Sequence, residues 1–129
     1  MAQPVSQGER ILVVDDDPTF CSIMSELLCR QGYQVGVAFS VDEAKLAIEA
    51  QVPDLILTDI MMPEVDGLCL VRALRASPGL QAIPTVVVSA RVMEEDRRAA
   101  HEAGADAFLG KPFSLQRLRT TIHSLLPAN

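Results

Sequence analysis

Five short apolar runs alternate along the chain with longer segments whose apolar residues recur every three to four positions. Ile11-Leu12-Val13-Val14 and Leu55-Ile56-Leu57 are continuously apolar, the pattern of strands covered on both faces. Val86-Val87-Val88 is another such run, opened by Pro84, which is tolerated at a strand's first residue. The segment from Tyr33 to Phe39 is weaker, with Val35, Val37 and Phe39 alternating, and Ala107-Phe108-Leu109 makes a short fifth strand.

The intervening segments carry helix signals. Asp17-Pro18 supplies an N-cap and a first-turn proline, Phe20, Ile23, Met24, Leu27 and Leu28 then fall on one face, and Gly32 is placed to end the helix. Ser40-Val41-Asp42-Glu43 has capping-box spacing and opens a second helix through Ala50, with Val41, Ala44, Ala47 and Ile48 inward. Asp66-Gly67 opens a third, with Leu70, Val71 and Leu74 inward, and Ser77-Pro78-Gly79 breaks it. A fourth, about Met93 to Ala103, offers only Ala99, Ala100 and Ala103 to the sheet before Gly104, which predicts weak anchoring. Ser114 caps a last helix with Leu115, Leu118, Ile122 and Leu125 on one face. Five strands alternating with five helices predict an α/β fold whose right-handed crossovers cover a parallel sheet on both sides.

Composition narrows the class. With 129 residues, 49% apolar and 22% charged, the chain has room for one domain and one core. A net charge of -6 and a pI near 4.8 provide no basic patch for duplex nucleic acid or an anionic membrane. No apolar run approaches the ~18 residues of a membrane span, and residues 1–9 lack the regions of a signal peptide. They read as a flexible tail on a cytoplasmic protein, with residues 10–127 as the folded unit. Cys21, Cys29 and Cys69 are odd in number and form no CxxC pair, so buried thiols are expected rather than a disulfide framework or a zinc site.

Four of the strands end on reactive groups: Asp15-Asp16, Asp59, Ser89 and Lys111. If the first and third strands are neighbours, Asp15, Asp16 and Asp59 share one pocket. Two carboxylates about 4 Å apart repel by roughly 4 kcal/mol at an effective dielectric near 20, so three of them call for a cation or a raised pKa. Mg²⁺ suits such an oxygen set, because it keeps several waters and is commonly completed by phosphate. Lys111 adds a mobile positive charge and Ser89 a hydroxyl donor. Three carboxylates, one divalent cation and one lysine sum to zero charge, so the set is suited to handling a phosphoryl group.

From about Arg10 to Leu126 the chain resembles the response-regulator receiver domains of bacterial two-component signalling. The resemblance is carried by Val14-Asp15-Asp16, by Thr58-Asp59-Ile60-Met61-Met62-Pro63-Glu64-Val65-Asp66-Gly67, by Val88-Ser89-Ala90 and by Lys111-Pro112-Phe113. It implies a flavodoxin-like five-stranded parallel sheet of order 2-1-3-4-5, for which a chemotaxis receiver is among the general examples. By the same resemblance Asp59 is the phospho-acceptor, charged by a histidine kinase or histidine phosphotransfer protein. Asp15 and Asp16 hold Mg²⁺ together with Asp59 and the backbone carbonyl of Met61. Ser89 and Phe108 are the switch residues, Lys111 is the lysine of the site, and the bond before Pro112 is cis. Phe108 lacks the hydroxyl of the common tyrosine, so its switching rests on packing. The surface formed by residues 91–103, Ala107 to Leu109 and Ser114 to Leu126 is expected to carry the output, by binding a protein target or by self-association.

Other readings fit the residues less well. A haloacid-dehalogenase-type phosphatase needs a second acid two residues after its nucleophile, where this chain has Met61, and usually a longer chain. A flavin-binding module would set its phosphate against the three aspartates and lacks a Ser/Thr/Gly-rich loop after the first strand. A phosphorelay intermediate is the alternative within the family, and in either role the chain modifies itself rather than turning over a separate substrate. Asp17 is read as a helix cap. His101 and His123 are read as solvent-exposed, and Met61-Met62 as packing rather than sulfur chemistry.

Overall fold

The computed structural model describes residues 8–60 and 67–126. Its strands are β1 (Arg10–Val14), β2 (Gln34–Ala38), β3 (Leu55–Asp59), β4 (Thr85–Ser89) and β5 (Ala107–Gly110). The helices are α1 (Pro18–Arg30), α2 (Val41–Ala50), α3 (Gly67–Ala76), α4 (Glu94–Ala103) and α5 (Leu115–Leu125). All strand pairs are parallel, in the order β2-β1-β3-β4-β5. This is the flavodoxin-like arrangement, with β1 and β3 side by side near the middle.

Alternation along the central strands divides the core. Ile11, Val13, Leu55, Leu57, Val86 and Val88 face a cluster completed by Met24 and Leu28 of α1 and by Leu118 and Ile122 of α5. Leu12, Val14 and Ile56 point the other way, onto Val41, Ala44 and Ile48 of α2 and Leu70 and Leu74 of α3. Val87 meets Leu68 and Val71 of α3 and Ala100 and Ala103 of α4. Burying each large aliphatic side chain contributes about 1.5–3 kcal/mol, so β1, β3 and β4, closed on both faces, hold the fold. The half-buried residues of β2 explain its weaker pattern: it is an edge strand.

The helix signals operate locally. Asp17 accepts the Thr19 N–H, Ser40 Oγ the Glu43 N–H and Ser114 Oγ the Arg117 N–H. Glu43 returns to the N–H of Phe39, one residue before the cap, and so fixes the chain as it leaves β2. Gly32 and Gly104 follow α1 and α4 with φ of 97° and 110°, where a side chain would be strained.

Several expectations need correction. Ile23 and Leu115 are exposed: the buried stripe of α1 is Cys21, Met24 and Leu28, and that of α5 is Leu118 and Ile122. Phe39 lies beyond the end of β2 and is exposed. Of the cysteines only Cys21 is buried; Cys29 and Cys69 sit on the outer faces of their helices, and all three are free thiols. His101 and His123 are exposed, as expected. The expectations for Met61-Met62, Asp66, residues 1–7 and residue 127 lie outside the described residues. No helix among the described residues is long and apolar enough to cross a membrane.

Candidate functional site

Register brings the strand ends together. Val14 pairs with Thr58, so the next residues, Asp15 and Asp59, stand side by side at the carboxyl edge of the sheet. Asp59 pairs with Val88 and Ser89 with Gly110, so Ser89 and Lys111 each lie one step further along that edge. Asp15, Asp59 and Ser89 are buried while Asp16 is exposed. The carboxylates of Asp15, Asp16 and Asp59 each offer an oxygen within 4.8 Å of the others. All the donors are hard oxygens and Asp16 opens the group to water, so the set fits a Mg²⁺ ion that retains several waters.

Lys111 reaches back across this group. Its Nζ donates to Asp15 Oδ2 at 2.8 Å and lies 3.8 Å from Asp59 Oδ2. Asp15 Oδ1 accepts the Asp17 N–H at 2.9 Å, so both oxygens of Asp15 are engaged while its strand fixes its backbone. The Lys111 N–H donates to the Ser89 carbonyl at 2.7 Å, and the Lys111-Pro112 bond is cis. Ser89 Oγ accepts the Arg91 N–H at 3.1 Å. Phe108, paired in register with Val87, is half-buried beneath the Arg97 guanidinium, 4.9 Å from its ring centroid.

Four further residues take part in this geometry in ways that the strand-end pattern does not indicate. Gly67 begins α3 hard against β3: a Cβ there would land on the carbonyl oxygen of Asp59, so only glycine lets the helix approach. Cys21 donates its S–H to the Asp15 carbonyl at 3.3 Å; burial above all, then the charges of Asp15 and Asp17, push its thiol up to about 11. It therefore stays protonated and serves as packing beneath the acids. Phe20 places its ring face 4.0 Å from Lys111 Nζ. Asp96, three residues after Met93, returns to the Met93 N–H, a spacing that the sequence does display.

α4 is held by more than alanine. Arg91 grips the Asp96 carboxylate with two N–H groups, and Arg75 Nε donates to the Gly104 carbonyl at the other end of the helix. The alanine contacts are as expected, but these polar anchors tie the start of α4 to the loop that precedes it and its end to α3.

Comparison with known proteins agrees with this geometry. The family model of the response regulator receiver domain matches residues 11–123. The response regulator Rre1 of Synechocystis is 36% identical over 127 residues, 98% of this chain and 53% of that protein. The transcriptional regulatory protein PrrA of Mycobacterium tuberculosis is 41% identical over 117 residues, 91% of this chain and 49% of that protein. The chain thus spans about half the length of these curated relatives. Among solved structures, the receiver domain of a sensor histidine kinase from Pseudomonas aeruginosa superposes with a TM-score of 0.85 at 28% identity, covering 94% of this chain and 99% of that one. That structure has a magnesium ion coordinated in its active-site cleft. With the family model running from β1 into α5 and the sheet in the 2-1-3-4-5 order, the chain belongs to the response-regulator receiver domains of two-component signalling.

Proposed function

We propose that Asp59 accepts a phosphoryl group from the histidine of a partner kinase or phosphotransfer protein, and that the modified site switches an interaction surface. The observation that carries this reading is the position of Lys111 Nζ, 2.8 Å from Asp15 and 3.8 Å from Asp59 within a cluster of three carboxylates. A carboxylate oxygen of Asp59 forms the new O–P bond as the donor's P–N bond breaks, and the donor nitrogen keeps the electron pair and takes up a proton. Lys111 offsets charge on the incoming phosphoryl oxygens, and the buried Ser89 hydroxyl can turn to donate to one of them. Asp15, Asp16 and Asp59 are the residues to hold Mg²⁺, with the backbone carbonyl of Met61 as the further ligand that the family likeness implies; the ion's charge would neutralise the carboxylates and favour approach of an anionic donor.

The chain acts here on itself and has no separate substrate to turn over. Phe108 and α4 are the parts placed to respond, and the face formed by α4, β5 and α5 is the proposed route out, to a protein target or a second copy. One relative is a transcriptional regulatory protein, so the expectation of no nucleic-acid contact is confined to the residues of this chain, whose net charge is -6. The receiver unit is taken as residues 10–127, and a cytoplasmic location follows from a partner kinase acting there.

The test is intact-mass analysis after incubation with acetyl phosphate and Mg²⁺. One added phosphoryl group is expected, absent without metal and absent in Asp59→Asn. An equal yield in Asp59→Asn would overturn the assignment.

A further inference from the structure

We infer that Phe20 is a positioning residue for the Lys111 ammonium, a role that rests on the reading of Asp59 as phospho-acceptor. A lysine on a flexible four-carbon stem is not fixed by one carboxylate, and Lys111 stands closer to Asp15 than to Asp59. The third contact is the face of Phe20, 4.0 Å from Nζ to the ring centroid. The negative face of an aromatic ring attracts a cation without demanding a single direction, so the ammonium can shift along it from Asp15 toward a phosphoryl group and remain held. An aliphatic side chain of similar size would fill the space without that attraction.

The ring is itself well placed. It lies in the first turn of α1, whose start is fixed by the Asp17 cap and by the Asp17 N–H bond to Asp15, so the helix that carries the ring is tied to an acid of the site. Phe113, two residues beyond Lys111, meets Phe20 edge-on, with centroids 6.3 Å apart and planes at 89°. The ring that meets the lysine is thus itself buttressed by a second ring from the opposite end of the chain. No other ring stacks with Lys111 among the described residues.

The experiment compares wild type, Phe20→Tyr and Phe20→Leu, each also with Lys111→Met, by two readouts. The first is the NMR shift of the Lys111 ε-methylene, which a ring face displaces upfield; the second is the rate of phosphorylation by acetyl phosphate. Wild type and Phe20→Tyr should show the displaced shift and similar rates. Phe20→Leu should lose the displacement and slow phosphorylation about tenfold, with no further slowing when Lys111 is already methionine. Phe113→Leu, which leaves the ring but removes its edge contact, should reduce shift and rate together and serves if Phe20→Leu does not fold. An undisplaced shift in wild type, a wild-type rate in Phe20→Leu, or the same slowing without Lys111 would each overturn the role. If wild type takes up no phosphoryl group, the reading of Asp59 falls, and the methylene shift still decides whether Phe20 holds the ammonium.

Discussion

Arg91 and Asp96 are joined by a two-pronged ion pair, with Nε donating to Oδ2 at 3.0 Å and Nη2 to Oδ1 at 2.9 Å. The same carboxylate accepts the Met93 N–H, and the Arg91 N–H donates to Ser89 Oγ, so the start of α4 is tied through one loop to the end of β4. If the Ser89 side chain rotates toward a phosphoryl group on Asp59, as proposed, the Arg91 N–H loses an acceptor that helps hold α4. With beryllofluoride and Mg²⁺, hydrogen exchange should change most from Ser89 to Ala103 and around Phe108. In Arg91→Met the amides at the start of α4 should exchange fast with or without the ligand. Changes confined to α1 would place the output elsewhere.

The Asp96 carboxyl is held below its ordinary value of 3.8, chiefly by the hydrogen bonds from Arg91. Because the folded value is the lower one, the unfolded chain binds more protons between the two, and stability rises with pH there. The contribution is fully present above 3.8 and is lost as pH falls through the lower folded value. Protection of α4 amides should thus decline on acidification below about 4, and Asp96→Asn should remove that pH dependence locally. An unchanged profile in the variant would show that other carboxylates govern it.

Asp16 is exposed and outside the packed core, so its removal separates metal binding from folding. Asp16→Ala should match or exceed the wild-type melting temperature in the absence of metal, since one of three mutually repelling carboxylates is gone, while weakening Mg²⁺ binding by about tenfold or more. Calorimetric titration at fixed pH reads this. Equal affinities would exclude Asp16 from the metal set.

Gly67→Ala should destabilise the fold by about 1–3 kcal/mol, because the added methyl must push α3 off the Asp59 carbonyl. Phosphorylation of the folded fraction should slow as well, since α3 packs on the residue proposed to react. Denaturant unfolding gives the stability, and a midpoint equal to wild type would show that α3 can yield at no cost.

Arg75 is the fastening at the opposite edge of the sheet. It donates to the carbonyls of Gly104, Gln81 and Ile83 and to Asp106, which in turn accepts the Thr85 N–H. Arg75→Met leaves part-buried carbonyls without this donor and should cost about 1–3 kcal/mol, with the slope of the denaturant transition unchanged. Metal affinity, at the far edge, should stay the same.

The sequence by itself determined the alternation of strands and helices, because each depends on local causes: a run of branched apolar residues, a cap at Asp17, Ser40 or Ser114, a break at Gly32, Pro78-Gly79 or Gly104. It also put chemistry at strand ends, since Asp15, Asp59, Ser89 and Lys111 each follow or close an apolar run. The parallel sheet follows from alternation, but its order was legible only through family likeness, because nothing in a strand's own residues names its neighbours. Which face of a helix is buried was legible where the stripe was unambiguous, as in α2 and α3, and failed at Ile23, two residues from the buried Cys21, and at Leu115, in the first turn of α5. The contacts of Phe20 with Lys111, Gly67 with Asp59, and Arg75 with Gly104 and Asp106 were decided only by tertiary structure. Each depends on the distance and angle at which two separately formed elements meet, and those are set by packing of the whole core rather than by any local preference.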